Sequence, residues 1–175
     1  MPPTSKPKAS PLNCYINWMQ RKDMPEVLRI ERESFGFPWE ERDFIACFQQ
    51  RNVIGMVAEA DGKTFGYMLY ALAQHEFHLL NLAVAPSARR RCVGIQLIQR
   101  LKSKLSQQRR RNIIAVVRET SVPAQLFFRD LGFKATSVVR GHYAETDEDA
   151  YVFRYSVVAE SPVENRLAVY FQGGA

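Results

Sequence analysis

The stretch that most restricts the fold is FHLLNLAVAPSARRRCVGIQLIQRLKSKL, Phe77 to Leu105. Residues 77–85 are almost continuously apolar, as in a strand buried on both faces. Pro86 has no N–H to give to a ladder, so strand pairing ends there. Beyond it Val93, Leu97, Ile98, Leu101 and Leu105 recur at helical spacing and mark one apolar face. A buried strand that turns directly into an amphipathic helix belongs to a layered α/β sheet. The turn itself carries Arg89, Arg90 and Arg91, followed by Cys92, Val93 and Gly94. The first turn of the helix offers unpaired N–H groups and the positive end of its dipole. Together with the arginines it suits a pyrophosphate, and Gly94 lets a ligand or a neighbouring backbone come close.

Elsewhere the pattern predicts a strand over 13–19, a helix over 23–35 with Asp23 as N-cap, and a second helix over 38–50. Residues 53–60 and 63–73 read as a hairpin about Asp61-Gly62. A strand follows at 112–119, then a helix at 121–133 with Ser121 as N-cap and Gly132 closing it. Two last strands, 134–141 and 149–158, are joined by an acidic loop. The order β-α-α-β-β-β-α-β-α-β-β is a mixed α/β sheet. Arg109, Arg110 and Arg111 are expected to close the long helix that starts near Cys92, where cations suit the dipole.

The chain has 175 residues, 46% of them hydrophobic, which is enough for one domain with a real core. Residues 1–11 read as a flexible tail, 12–158 as the domain and 159–175 as an extension whose YFQG resembles a protease-tag scar. No apolar run is long enough to span a membrane, so no membrane partner is expected. Three scattered cysteines form neither a disulfide framework nor a metal spacing, which points to a reducing compartment, the cytoplasm, and to no metal. A formal net charge of +6 suits an anionic ligand, an acidic partner or nucleic acid without choosing among them.

These motifs carry a family resemblance. VAPSARRRCVG resembles the acetyl-CoA loop of the GNAT N-acetyltransferases, whose pattern is Gln/Arg-x-x-Gly-x-Gly/Ala. Arg89 matches its first position, Cys92 its first glycine and Gly94 its second. More narrowly, the chain is similar to RimI-like protein N-terminal acetyltransferases. ERESFGFPWEERDF, LLNLAV, LFFRDLGF and GHYAETDEDAY each match one of their segments in the same order. The resemblance implies a GNAT fold, a central mostly antiparallel sheet splayed between its fourth and fifth strands and flanked by helices. It implies acetyl-CoA as cosubstrate, with pantetheine pairing to strand backbone near Leu82, Ala83 and Val84. The pyrophosphate would meet amides from Arg90, Arg91, Cys92, Val93, Gly94 and Ile95. It implies a primary amine as acceptor, in these relatives the α-amine of a protein N-terminus.

Three departures bear on the chemistry. Cys92 stands where the pattern has glycine, which costs little if the backbone there is already helical. Val116 stands where RimI-like proteins have a glutamate, and Phe128 where they have a tyrosine, so neither side chain can move a proton. Ser121 aligns with an asparagine at the helix start and is counted with the cofactor site, as is Phe128. His78 aligns with the glutamate base of another GNAT branch, and histidine is a workable base near neutral pH. Its bland alternative is a hydrogen-bonded sheet residue. Tyr143 is placed to orient substrate or water, with His142 beside it. Glu33 and Phe37 are expected to form the opposite wall, with Phe35 and Trp39 in the core. Other readings are a small-molecule amine acceptor, a CoA-binding module with little catalysis, and a basic RNA-binding module, the last of which lacks stacking aromatics and is disfavoured.

Overall fold

A computed structural model describes residues 10–157. The elements are β1 (Tyr15–Trp18), α1 (Met24–Ser34), α2 (Glu41–Gln49), β2 (Val53–Ala60), β3 (Lys63–Leu72), β4 (Glu76–Val84), α3 (Val93–Lys102), β5 (Asn112–Arg118), α4 (Val122–Asp130), β6 (Lys134–Tyr143) and β7 (Glu148–Ser156). They follow the order read from the sequence. The described residues leave out 1–9, most of the proposed tail, and 158–175, which holds the whole proposed C-terminal extension 159–175. Ser10, from the end of the supposed tail, accepts a bond from Arg91 Nε at 3.0 Å.

One seven-stranded sheet runs β1-β2-β3-β4-β5-β7-β6, and every pairing is antiparallel except β4–β5. Strand alternation assigns the two faces. Tyr67 and Asn81 touch Glu31 of α1, and Tyr67 also meets Phe44 of α2, so α1 and α2 cover one face. A side chain at Gly66 would run into Val93 and Leu97 of α3, and Phe153 of β7 packs on Phe128 of α4, so α3 and α4 cover the other. Between the layers lie fully buried residues such as Val57, Met68, Leu97 and Ile113.

Local sequence explains the turns. Asp61 and Gly62 both take positive φ, 49° and 72°, which closes the β2–β3 hairpin as its Asp-Gly pair predicts. Glu40 and Asp43 cap the start of α2 reciprocally, Asp43 accepting from Glu40 N at 2.8 Å. Asp23 does sit at the N-cap of α1, but its carboxylate turns back to accept from Gln20 N at 2.7 Å.

Two expectations fail. Helix α3 stops at Lys102, so neither Leu105 nor the arginine run 109–111 belongs to it. Ser103 Oγ bonds back to Arg100 O at 2.8 Å, the local competition by which serine ends helices. The arginines lead into β5 instead. Arg110 Nε donates to Ala73 O at 2.6 Å and its guanidinium lies over Phe77. Phe35, expected in the core, is 41% exposed, because α1 ends at Ser34 and the chain turns outward. Trp39 does pack inward, edge-on to Phe44 with centroids 5.5 Å apart.

Candidate active site

The parallel pairing of β4 with β5 covers only Glu76–Leu79 against Asn112–Ala115. Beyond it the strands separate, leaving Leu80 to Val84 unpaired on the β5 side and Val116 to Arg118 unpaired on the β4 side. On the other flank of β4 the register slips, so that Leu69 faces Asn81 and Tyr70 faces Leu79. Leu80 is therefore a bulge residue with no partner on β3, sitting where the split opens. A bulge re-aims backbone groups, and donors freed in this way can polarise a carbonyl. Leu82, Ala83 and Val84 run along the open split, their free edge towards it.

The loop that follows departs from expectation at its key position. Cys92 has φ 65° and ψ 10°, the left-handed conformation, and Arg90 has φ 63°. Cys92 is not helical, so the condition under which it would cost little is not met; a Cβ in this region costs about 1–2 kcal/mol relative to glycine. Cys92 is also the N-cap of α3, so the amides of Val93, Gly94 and Ile95 belong to the first turn and have no intrahelical acceptor. The three arginines divide their duties. Arg89 reaches Val84 O at 3.2 Å and Ser34 Oγ at 3.0 Å, tying the loop to the end of α1. Arg91 holds Ser10 O. Arg90 alone of the three has no polar partner among the described residues, and it is exposed. Space at Gly94 is tight: a Cβ would lie 3.2 Å from the Phe127 ring, which would have to give slightly, and in ordinary contact with Val84 at 3.5 Å.

Below the split, Phe128 is 6% exposed in a cluster with Phe127, Phe133 and Phe153. Ser121 occupies the N-cap of α4, but its hydroxyl makes no capping bond.

On the α1 face, Phe37 and the β6–β7 hairpin approach the unpaired end of β5, and the space between them is the candidate acceptor groove. Val116 is 37% exposed on that face, as strand alternation from His78 through its partner Ile114 requires. His78 shares the face, and its Nε2 lies 2.7 Å from Glu76 Oε1. Arg118, two residues past Val116, joins the walls. Its guanidinium lies 3.7 Å from the centre of the Tyr143 ring and 6.0 Å from that of Phe37. It bonds Thr146 Oγ1 at 2.9 Å and pairs with Glu145 at 2.5 Å and Glu148 at 3.5 Å. Arg118 of β5, with Arg140 at Asp149, thus neutralises part of the acidic loop and leaves it net negative. Burial pushes the Tyr143 phenol above its ordinary pKa, with Arg118 opposing. His142 stands edge-on to Tyr143 at 4.8 Å between centroids. Glu33 does not face the groove's chemistry; Arg29 holds it at 3.0 and 2.9 Å on the solvent side of α1.

The inward carboxylate is Glu31, 1% exposed. It accepts from Trp39 N at 2.8 Å, from Asn81 Nδ2 at 3.3 Å and from the Tyr67 hydroxyl. Burial and then the Glu31 charge drive the Tyr67 phenol far up in pKa, so it remains a donor. The network ties the α1–α2 loop to β4 just past the bulge. Sequence reasoning missed Glu31 and Arg118. The first was detectable as a glutamate on the apolar Val27–Ile30 face of α1, the second as the residue sharing a strand face with Val116. Among the described residues no set of His, Cys, Asp and Glu is grouped to hold a metal, and no helix is long and apolar enough to cross a membrane.

Comparison with known proteins agrees with this geometry. The model of the acetyltransferase (GNAT) family matches residues 24–133. A [ribosomal protein bS18]-alanine N-acetyltransferase of Escherichia coli strain K12 is 27% identical over 139 residues, 78% of this chain and 93% of the relative. The crystal structure of an E. coli ribosomal-protein-S18-alanine N-acetyltransferase superposes with TM-score 0.74 at 24% identity, covering 85% of this chain and 97% of that one. Arabidopsis thaliana NAA60 in complex with acetyl-CoA gives TM-score 0.73 at 17% identity over 82% and 99% of the two chains.

Proposed function

Because the chain belongs to the GNAT family of acetyltransferases, we propose that it moves the acetyl group of acetyl-CoA to the α-amine of a protein N-terminus. The observation that carries the reading is the split of β4 from β5 after Leu79 and Ala115, which leaves the edge of Leu80–Val84 open just before the loop into α3. The residues fit the donor. The open edge of Leu82–Val84 suits an extended amide chain, and the free first-turn amides of α3 with Arg90 suit a pyrophosphate. Bound there, acetyl-CoA supplies an activated thioester. The bulge at Leu80 supplies donors to the reacting carbonyl.

The groove suits an extended peptide whose terminal amine enters between Phe37 and Tyr143. Tyr143 and His142 orient the backbone, and the net negative hairpin tip favours an ammonium. With Val116 and Phe128 inert, His78 accepts the ammonium proton through water, held in orientation by Glu76. The neutral amine then attacks the thioester carbonyl, and as the C–S bond breaks the second proton of the attacking nitrogen passes, directly or through water, to the departing thiolate. The three free thiols suit a reducing cytoplasm.

Support for a protein acceptor comes from the named activity of the E. coli relative, a ribosomal-protein alanine N-acetyltransferase. The test is CoA release on a panel of short peptides with free or blocked α-amines and on small amines. Turnover on free α-amines alone is expected. Turnover only on small amines sinks the acceptor assignment. CoA binding without turnover on any amine makes the protein a binding module.

A further inference from the structure

We infer that Gln96 is a positioning residue that imposes the shape of the phosphate loop from outside, replacing what a glycine at position 92 would do alone. The inference rests on the reading of that loop as a CoA site. Two non-glycine obstacles on either side of Arg91 need explaining, because Arg90 and Cys92 both hold positive φ. A left-handed cysteine persists only where its surroundings over-determine it.

Gln96 supplies that determination with its whole amide. Nε2 donates to Cys92 O at 3.1 Å and to Leu12 O at 2.7 Å, while Oε1 accepts from Cys14 N at 2.9 Å. Both N–H donors and an oxygen lone pair are therefore in use, a set that no apolar or charged side chain of similar length reproduces. The backbone N–H of Gln96 also donates to Cys92 O at 3.1 Å. The carbonyl that fixes the first peptide of α3 is held twice by one residue.

The same residue straps the segment 10–14 across the loop. Leu12 N donates to Arg91 O at 3.0 Å and Arg91 Nε donates to Ser10 O at 3.0 Å, so the strap grips the loop from both sides of Cys92. The peptides that would face a pyrophosphate are set by these contacts. Glycine at position 92 would adopt the conformation without them.

The test is the affinity for CoA of the parent protein, Gln96→Ala, Cys92→Gly and the double variant, by calorimetric titration. Gln96→Ala is expected to weaken binding about tenfold, the scale of one or two lost hydrogen bonds. Cys92→Gly should keep or improve affinity. In the glycine background the effect of Gln96→Ala should shrink to within about twofold, the signature of coupled neighbours. Gln96→Glu, which keeps the acceptor but loses the donors, should behave like Gln96→Ala. Equal losses in both backgrounds, or no loss at all, overturn the inference. If the parent protein does not bind CoA, the donor-site reading fails on its own. The strap is then judged by urea midpoints of the same four proteins, where glycine must erase the cost of Gln96→Ala and additivity refutes it.

Discussion

From Leu80 to Gln96 the proposed donor side is one unbroken piece of chain, and its chemistry is mostly main chain: an unpaired strand edge, a bulge and the first amides of a helix. The proposed acceptor side is assembled from Phe37, Val116, Arg118, Tyr143 and Glu145, which come from the α1–α2 loop, β5, β6 and the final hairpin. The first depends on backbone conformation, so it is most sensitive to added bulk and to φ. The second depends on one cation, Arg118, holding an aromatic ring and three polar groups. Damage to either side should leave the other measurably intact.

The largest effect is expected at Gly94. In Gly94→Val the branched side chain crowds the Phe127 ring, already 3.2 Å from where a Cβ would stand, an overpacking cost of about 1–3 kcal/mol that falls on the proposed phosphate loop. CoA affinity should drop on the order of 10²-fold, while a peptide's competition with a bisubstrate probe through the groove changes little. Unaltered CoA binding in a titration would break the donor half of the comparison.

His78→Ala follows. Its imidazole lies on the groove face, so its loss should leave CoA affinity intact and lower kcat by roughly 10²-fold, within the range for general base catalysis. The rise of kcat/KM with pH should flatten at the same time. Normal turnover with an unchanged pH profile would remove His78 and leave proximity of amine and thioester as the main source of rate.

Arg118→Ala should raise peptide KM about tenfold, the scale of a lost cation–π contact and charge-assisted bonds at a half-buried site. CoA affinity should stay within error. An equal fall in CoA affinity would mean that the halves are not separable.

The smallest effect is a pH response. Glu145, Glu148 and Asp149 are held below the ordinary carboxylate range, chiefly by a bond from the Glu145 backbone, by Thr120 and by Gly141 N–H respectively. Depressed folded-state values mean that their stabilisation is present above the unfolded value, about 4 for a carboxylate. It is lost as pH falls through the lower folded values. Acidification from pH 5 to below about 3.5 should therefore loosen the 143–149 hairpin before the donor loop. Backbone NMR shifts that move first at 92–96 would contradict this.

The same contrast explains what could be read in advance. Pro86, the arginines and Gly94 lie together in sequence, and their meaning follows from local rules, as does the Asp61-Gly62 turn. The splay came from family resemblance, since no periodicity marks where β4 leaves β5. The sign of φ at Cys92 was out of reach because it is imposed by Gln96 and by a segment eighty residues away in sequence. Arg118 and Glu31 escaped for a related reason: their partners sit on other elements. The arginine run 109–111 was misplaced because helical periodicity continued to Leu105 while Ser103 had already ended the helix.

Hydrogen–deuterium exchange with and without acetyl-CoA tests the central claim most directly, because the donor half is made of backbone amides. Protection should appear in residues 80–84 and 90–96, with little change in 143–149. No added protection in 90–96, or protection confined to the hairpin, would contradict the assignment of the β4–β5 split and its loop as the donor site.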